Sequence, residues 1–180
     1  MRHGETVWNI EGRLQGRADS PLSERGLRQA GWLAHLTRGI DGARVSSPLG
    51  RADQTARVVF GTGFRHDPRL SEICVGDFAG HLERDLRDRH SALFQGDDLE
   101  WYDRCPGGEG FAALEARCRA FLADLTGPTL VVTHGITLRM LRRLTLGRDA
   151  TLLSEGVIHQ GGVHVIRNGV ETVMRHPDDL

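Results

Sequence analysis

Apolar positions along the chain predict two amphipathic helices, one in each half. The first covers residues 22–38, where Ser23 can cap the amino end and Gly39 can stop the helix. The second covers residues 109–125. In both segments apolar residues recur every three or four positions, as expected of helices that bury one face. They are Leu27, Ala30, Leu33, Ala34 and Leu36 in the first helix and Phe111, Leu114, Cys118, Phe121, Leu122 and Leu125 in the second.

Short β-rich runs lie between and after these helices. Residues 43–46 are one strand candidate, and the apolar composition of residues 129–133 predicts a strand buried on both faces. Residues 163–167 and 170–174 flank an Asn-Gly pair at 168–169, which is typical of the type I′ turn of a β-hairpin. The sequence therefore predicts strands in both halves of the chain and a hairpin near its end.

Two further helices follow strand candidates directly. One has Pro48 in its first turn and runs to about Phe60, and the other covers residues 136–146. Strands thus alternate with helices, and neither a linker nor a repeat divides the chain. We predict an α/β fold of three layers, α/β/α, with a mostly parallel sheet and an antiparallel edge hairpin near the C-terminus. We expect a single domain over residues 1–180.

Composition excludes several classes of function. The chain has 180 residues, and all 23 basic residues are arginine, which excludes a lysine Schiff base, a P-loop lysine and a Ser–Lys dyad. The formal net charge of −1 argues against a nucleic-acid partner. No apolar run approaches the ~20 residues of a membrane-spanning helix, so we expect no membrane partner. Cys74, Cys105 and Cys118 fit neither a zinc nor a CxxC site, so we expect reduced thiols, Cys118 in the core, and a cytoplasmic protein.

Four short stretches contain candidate chemistry, although each is weak evidence alone. Arg2-His3 stands at the start of the chain, where a frayed end is the default interpretation. Arg51 falls one turn into a helix that follows a strand, where most arginines lie at the surface. Glu72 precedes a glycine-rich turn, and His134 lies between an apolar strand and Gly135. Ligand sites of α/β folds gather at such strand ends, but a lone histidine there is as often structural.

Taken together, the order and spacing of the motifs resemble those of the histidine phosphatase superfamily, also called phosphoglycerate mutase-like. The resemblance covers nearly the whole chain, from Arg2 to about Met174. The motifs are Arg2-His3-Gly4-Glu5-Thr6 with Asn9, Gly12-Arg13-Leu14-Gln15-Gly16, Asp19-Ser20-Pro21-Leu22-Ser23 before Gly26, Ser46-Ser47-Pro48 with Arg51 and Thr55-Ala56, Glu72 before Gly76, Pro106-Gly107-Gly108-Glu109, and Val131-Val132-Thr133-His134-Gly135.

The resemblance implies phosphoryl transfer without a metal or another cofactor. His3 would be the nucleophile and form a phosphohistidine that water then hydrolyses. Arg2 and Arg51 would hold the phosphate with guanidinium groups that keep their charge. His134 would donate to a phosphoryl oxygen, and Glu72 would protonate the leaving alkoxide and then activate water.

Further residues match family positions that contact the phosphate. They are Asn9, the turn Gln15-Gly16, and the amide of Gly135 near a helix start. The phosphoglycerate mutases carry a long insertion after the position of Glu72. Residues 73–80 instead resemble the short form found in the small-molecule phosphatases of the family.

Two segments depart from a regular pattern. Family members normally carry five or more apolar residues before the Arg-His-Gly motif, which form a central parallel strand. Only Met1 precedes Arg2, so we expect this first central strand to be truncated, with residues 1–3 as a short stub and stability or activity reduced. Residues 81–105, charged and only weakly helical, are either a cap insertion over the pocket or a solvated charged segment.

The favoured hypothesis is a phosphomonoester hydrolase that acts on a small phosphorylated metabolite. One alternative is a mutase of the phosphoglycerate mutase type, which returns the phosphate to the substrate. Another is a catalytically impaired phosphate-binding protein of the same fold. A metal hydrolase is weakly supported, because only His3 and His134 lie in pocket-like contexts and no acidic cluster accompanies them. The terminal hairpin leaves a homodimer possible.

Overall fold

The computed structural model describes residues 1–147 and 153–179 of the chain. No helix within these two ranges is long and apolar enough to cross a membrane. Short 3₁₀ helices lie at Pro68–Leu70, Gly76–Phe78, Ser91–Phe94, Glu100–Arg104 and Pro177–Asp179. The other elements, in chain order, are α1 Val7–Glu11, α2 Glu24–Leu36, β1 Ala43–Ser46, α3 Gly50–Phe60, β2 Arg65–His66, α4 Glu83–Arg89, α5 Gly110–Ala123, β3 Thr129–Val132, α6 Gly135–Thr145, β4 Val163–Arg167 and β5 Val170–Met174.

The strands form one parallel sheet and one hairpin. The parallel sheet has the order β2-β1-β3, with Thr129 opposite Ala43 and Val132 opposite Ser46. β4 and β5 pair antiparallel and are joined by residues 168–169, whose φ angles are 51° and 73°. Positive φ at both turn positions is the geometry of a type I′ turn. The predicted hairpin is therefore confirmed.

Helices cover both faces of the parallel sheet. Val131 packs into an apolar cluster with Leu114 of α5 and Met140 of α6. Val132 packs into a second cluster with Leu33 of α2 and Ala52 of α3. Because successive residues of a strand point to opposite faces, β3 separates the two clusters. The three-layer α/β/α architecture is therefore confirmed.

The three cysteines are all free thiols, and they differ in how deeply they are buried. Cys74 is half-buried, whereas Cys105 and Cys118 are buried. Burial raises the pKa of both the Cys105 and the Cys118 thiol to about 12. Both side chains therefore stay protonated and pack as small apolar groups. The predicted core position of Cys118 is confirmed.

β3 is less buried than its apolar sequence predicts. Only Val132 of its four residues is buried and the other three are half-buried, so β3 is covered on both faces, as predicted, but incompletely. The reason is a cavity of about 500 Å³ between β3 and β4, here called the inter-sheet slot. Its lining includes Met1, Leu130, Val131, Leu138, Leu141, Val163 and Val165.

Residues 1–3 lie extended at one end of the inter-sheet slot. The amino group of Met1 donates to the Val131 carbonyl over 2.8 Å, and the Thr133 N–H donates to the Met1 carbonyl over 3.0 Å. The His3 N–H then donates to the Thr133 carbonyl over 2.9 Å. This is the ladder of a strand that runs parallel to β3, and it delivers His3 to the carboxyl edge of the sheet.

Two local predictions need correction. α3 begins at Gly50 rather than around Pro48, because Leu49 is extended at φ −67° and ψ 138° and its N–H donates to Ser47 Oγ. α1 had no apolar stripe and was not predicted as a helix. Its start is set by reciprocal hydrogen bonds between Thr6 and Asn9, in which each side chain accepts from the backbone N–H of the other residue.

Candidate active site

His3 lies directly after the extended residues at the carboxyl edge of the sheet and is 3% exposed. Its Nδ1 lies 2.7 Å from the Gly4 carbonyl, which can only accept, so Nδ1 carries the hydrogen. Nε2 therefore holds a lone pair, and Arg51 Nε donates to it over 3.2 Å. Burial, followed by the charges of Arg51 and Arg2, lowers the pKa of His3 well below 6.5. The ring is thus a neutral imidazole whose Nε2 can act as a nucleophile.

Arg51 is buried, with only 1% of its surface exposed, and several hydrogen bonds hold it in place. It lies in the first turn of α3, where its backbone N–H donates to Asp19 Oδ1 over 3.2 Å. Nη1 donates to the Ala18 carbonyl over 2.7 Å, and Nη2 donates to the Gly16 carbonyl over 2.8 Å. The loop at residues 16–19 therefore fixes the guanidinium and aims its Nε edge at His3.

Glu72 is held at the amino end of α6. Its Oε1 accepts from the Ile73 N–H and the Thr137 N–H, each over 3.0 Å. It also lies 3.0 Å from Thr137 Oγ1, whose one hydrogen has the Ser71 carbonyl as a nearer acceptor at 2.8 Å. Within the described residues, its Oε2 accepts only from the Ile136 N–H, over 3.1 Å. A helix start supplies such unpaired N–H groups and favours negative charge. Oε2 keeps a free lone pair, so it is the oxygen that can carry or accept a proton.

His134 faces His3 from the end of β3. The two ring centroids are 5.1 Å apart and the rings are tilted by 57°. His134 Nε2 lies 2.7 Å from Ser47 Oγ. The side chain is fully buried, and burial, followed by the charge of Arg51, lowers the pKa of His134 well below 6.5. A second neutral imidazole therefore stands beside the first.

Three buried polar atoms around these rings have no hydrogen-bond partner among the described residues. They are Arg2 Nε, His134 Nδ1 and Gln15 Oε1. Arg2 is cationic, and an imidazole Nδ1 can donate when it carries hydrogen. Burying unpaired polar atoms is costly, so Arg2 Nε and His134 Nδ1, the two that can donate, indicate a place for a bound anion, whereas Gln15 Oε1 is an acceptor and does not contribute to it.

The remaining residues singled out in the sequence lie at the same place. Asn9, Gln15 and Gly16 line a pocket of about 230 Å³ together with Arg2, His3, Arg51 and Glu72. Asn9 Oδ1 accepts from the Thr6 N–H, which turns its amide NH₂ group toward other partners. A Cβ placed on Gly135 would lie 3.6 Å from Arg2 Cζ and 3.7 Å from Glu72 Oε2.

The pocket also contains residues that were not singled out in the sequence, beside Tyr102, which belongs to the segment predicted as a possible cap over it. Its wall also contains Leu14, Val75, Glu83 and Tyr102. Tyr102 stacks on the buried Trp101 with ring centroids 3.8 Å apart. Only their positions inside the quoted motifs or the 81–105 segment could have pointed to them, because no local pattern distinguishes a pocket tyrosine from a surface one. In the parts of the chain that the structure describes, no group of three or more His, Cys, Asp and Glu side chains could hold a metal ion.

Comparisons with known proteins point in one direction. The model of the histidine phosphatase superfamily (branch 1) matches residues 1–172. The chain is 35% identical over 168 residues to Probable phosphoglycerate mutase GpmB of Enterobacter sp. (strain 638), which is 83% of this chain and 74% of that protein. The solved alpha-ribazole phosphatase from Shigella flexneri has a TM-score of 0.81 at 30% identity, covering 97% of this chain and 93% of that one. The solved phosphoglycerate mutase from Thermus thermophilus has a TM-score of 0.72 at 36% identity, covering 91% of this chain and 88% of that one.

Proposed function

The chain belongs to the histidine phosphatase superfamily, branch 1, whose members are phosphatases or mutases, and from this premise we propose that it hydrolyses a small phosphomonoester. The observation that carries the proposal is the state of His3. Its Nε2 holds a lone pair beside a pocket that Arg2, His3 and Arg51 line, and Arg2 Nε and the adjacent His134 Nδ1 have no partner among the described residues. A neutral nucleophile beside unpaired donors suits a reaction at phosphorus.

In the first step, His3 Nε2 attacks the phosphorus atom. The P–N bond forms as the bond from phosphorus to the ester oxygen breaks, and the electron pair of that bond leaves with the alkoxide. Glu72, protonated on Oε2, gives its proton to the leaving oxygen. The products are a phosphohistidine and a free alcohol, and Glu72 is left as a carboxylate.

In the second step, water attacks the phosphohistidine while Glu72 Oε2 takes one of its protons. The P–N bond breaks and its electron pair returns to His3 Nε2, so inorganic phosphate leaves and both side chains recover their starting states. The backbone N–H groups of Ile73, Ile136 and Thr137 support this role, because they hold the Glu72 carboxyl in one orientation through both proton transfers.

We assign the phosphoryl oxygens to donors on three sides of the pocket. Arg2 and Arg51 neutralise the charge, and His134 donates from Nδ1 as charge builds on the oxygens. The Asn9 amide, the Gln15-Gly16 turn and the Gly135 amide complete the cradle. Hydrogen bonds to ionised oxygens are shorter and stronger than neutral ones, which favours a dianionic phosphate over a neutral ligand.

The part of the pocket that would contact the organic group of the substrate contains both apolar and polar side chains. Leu14 and Val75 are apolar, Tyr102 offers a ring edge and a hydroxyl, and Glu83 offers a carboxylate. Glu83 and Tyr102 both belong to the 81–105 segment, which supports the proposal that this segment caps the pocket. A volume of about 230 Å³ suits a small metabolite rather than a phosphorylated protein.

The test is phosphate release from a panel of phosphorylated metabolites, with His3→Ala as the key variant. We expect release by the unaltered protein and an acid-labile phosphoenzyme. His3→Ala should lose both, with turnover reduced by about 10³-fold or more. His35→Ala, which removes an exposed histidine of α2, is the matched control and should keep full turnover. Comparable activity in His3→Ala would reject the nucleophile.

A mutase is the second candidate, because relatives at 34–36% identity carry that name. It would use the same phosphohistidine and return the phosphate to a second oxygen of the substrate. Isotopically labelled 2- and 3-phosphoglycerate distinguish the two reactions. Transfer between positions without phosphate release would overturn the hydrolase, whereas phosphate binding with no turnover of either kind would indicate an impaired enzyme.

A further inference from the structure

A chain of buried hydrogen bonds leads from the start of α3 to His134. The Leu49 N–H donates to Ser47 Oγ over 3.2 Å, and Ser47 Oγ lies 2.7 Å from His134 Nε2. Ser47 and His134 are both fully buried. The Ser47 N–H also donates to the Val132 carbonyl over 2.9 Å, which fixes β1 and β3 relative to each other beside this contact.

One arrangement of hydrogens leaves fewer of these buried groups unpaired than the other. Ser47 Oγ already accepts from Leu49, and its own hydroxyl hydrogen needs an acceptor. If His134 Nε2 carried the ring hydrogen, the hydroxyl hydrogen would have no acceptor among the described residues, and a buried unpaired donor is costly. If the hydroxyl donates to Nε2, both of these groups are paired and the ring hydrogen lies on Nδ1, which is then the one group left without a partner among the described residues; the opposite tautomer leaves both the hydroxyl hydrogen and the Nδ1 lone pair unpaired.

We infer that Ser47 is a positioning residue that holds His134 in the Nδ1–H tautomer and so presents an N–H to the phosphoryl group. That His134 meets a phosphoryl group rests on the proposed function, whereas the tautomer rests on the contacts alone. The difference between tautomers matters because Nδ1 has no partner among the described residues. With hydrogen it attracts a phosphoryl oxygen, and as a bare lone pair it repels one.

The neighbouring Ser46 supplies a matched control. It is equally buried, and its hydroxyl lies 3.0 Å from the Ser47 carbonyl and 3.3 Å from the Ala52 carbonyl. Ser46→Ala therefore removes a buried hydroxyl from the same turn without changing what His134 Nε2 accepts. Ser47→Cys keeps a weak donor at the critical position, and Ser47→Ala removes it.

The primary experiment is ¹⁵N NMR of the histidine side chains, with His134 assigned by its absence in His134→Gln. In the unaltered protein, Nδ1 should have the shift of a protonated nitrogen and Nε2 that of an acceptor. Ser47→Ala should shift both signals toward the opposite tautomer or toward an average. Ser46→Ala should leave them unchanged. If His134 keeps the Nδ1–H tautomer in Ser47→Ala, the assignment of Ser47 is wrong.

Turnover and phosphate binding provide a second readout. Ser47→Ala should lower kcat by roughly ten- to a hundred-fold, as for the loss of one transition-state donor, and change KM far less. Ser47→Cys should recover part of the loss. Equal losses in Ser47→Ala and Ser46→Ala would indicate a structural effect and overturn the inference. If the protein hydrolyses nothing, the NMR shifts still decide the tautomer and the affinity for inorganic phosphate still reports binding at the site. A failure of the proposed function can therefore be told apart from a failure of the Ser47 assignment.

Discussion

At the scale of the residue, the nitrogen that we propose as the nucleophile already accepts a hydrogen bond. Arg51 Nε donates to His3 Nε2, the lone pair that must attack phosphorus. An arriving phosphate offers that N–H a charged oxygen, which is a stronger acceptor than a neutral imidazole. Because the guanidinium is fixed, a phosphate oxygen that approaches its Nε edge can take over this hydrogen bond, which frees Nε2 for the proposed attack.

Glu72 provides a prediction that depends on the leaving group. Glu72→Gln keeps an oxygen acceptor for Ile73 and Thr137 but has no proton to give. Alkyl phosphates, whose leaving oxygens need a proton, should slow by about 10²- to 10⁴-fold, because that is the usual contribution of general acid catalysis. Activated aryl phosphates should slow far less. The measurement is kcat/KM for a series of phosphate esters plotted against the pKa of the leaving alcohol, with a melting curve to check folding. An equal loss across the series would contradict the acid role.

The residues that we propose to act on substrate could be named from the sequence, whereas those that orient them could not. His3, Arg51 and His134 stand in short motifs with fixed spacing, so a resemblance is enough to find them. Thr137 and Ser47 act through hydrogen bonds to Glu72 and His134 that span 65 and 87 positions of the chain. Such contacts exist only after folding, and a buried serine in a sequence looks like any other.

At the scale of the element, the site lies where three structures end or begin. β3 delivers His134, α6 begins directly after it and holds Glu72, and α3 begins with Arg51 beside the loop at residues 16–19. Parallel strands put their carboxyl ends on one edge, so residues far apart in sequence meet there. The periodic helices and the hairpin were predictable because their cores and turns follow local rules. α1 was not, because its apolar Val7 and Ile10 are exposed and its start depends on a Thr6–Asn9 capping pair.

The hairpin is joined to α6 by a half-buried charge pair, which supplies a prediction about stability. Arg142 donates from Nε and Nη2 to the Glu171 carboxylate, whose side chain is 13% exposed. These hydrogen bonds lower the pKa of Glu171 from 4.5 to about 2. Glu171→Gln should reduce the free energy of unfolding at pH 7 by about 3 kcal/mol, because it leaves the Arg142 charge without its partner.

The same pair predicts a direction with pH. Because the folded-state pKa of Glu171 is depressed, its stabilisation is fully present above about pH 4.5 and is lost as pH falls toward 2. Urea unfolding at several pH values should therefore show that Glu171→Gln and the unaltered protein converge in acid. Glu11→Gln is the control, since its partner Arg13 and Glu11 are about 40% exposed and such pairs contribute less than about 1 kcal/mol. A constant difference at every pH would contradict the charge pair as the cause.

At the scale of the whole molecule, the inter-sheet slot leaves apolar side chains of β3 and β4 facing a cavity. Residues 1–3 pair with β3 and the residue after it through hydrogen bonds to alternate positions. Thr133 bonds to Met1 and His3, and Val131, two positions earlier, accepts from the Met1 amine. The ladder therefore continues along β3, where the Val131 N–H faces the position two residues before Met1. Apolar side chains line the space of about 500 Å³ next to it. Apolar side chains that face such a space have no packing partner on that side, which costs dispersion contacts.

A segment added before Met1 should fill this space. An added segment of five alternating apolar and β-branched residues can continue the ladder, supply a carbonyl to Val131 and place two side chains in the slot. Burying two such side chains contributes about 4 kcal/mol, which corresponds to a rise in melting temperature of about 10 °C. The check is a melting curve and the turnover of the extended chain beside those of a chain extended by five charged residues, which should gain nothing. Equal melting temperatures for all three chains would contradict the assignment of the slot to a strand.

We also expect the extension to change how the free energy of unfolding depends on pH. This change would distinguish the addition of a strand from a general effect of chain length. When the chain begins with a free amine at Met1, burial lowers the pKa of that amine from 8.0 to about 5. The unfolded chain then binds more protons between these values, so stability should rise with pH from 5 to 8 by up to about 1.4 kcal/mol per unit. In the apolar extended chain the same nitrogen is an uncharged amide, and this contribution disappears. Unfolding free energies at pH 5, 6.5 and 8 should therefore rise less steeply for the apolar extension than for the chain with the free amine. If the two profiles are parallel, the Met1 nitrogen is not buried against β3, and the delivery of His3 by a continuing strand has to be abandoned.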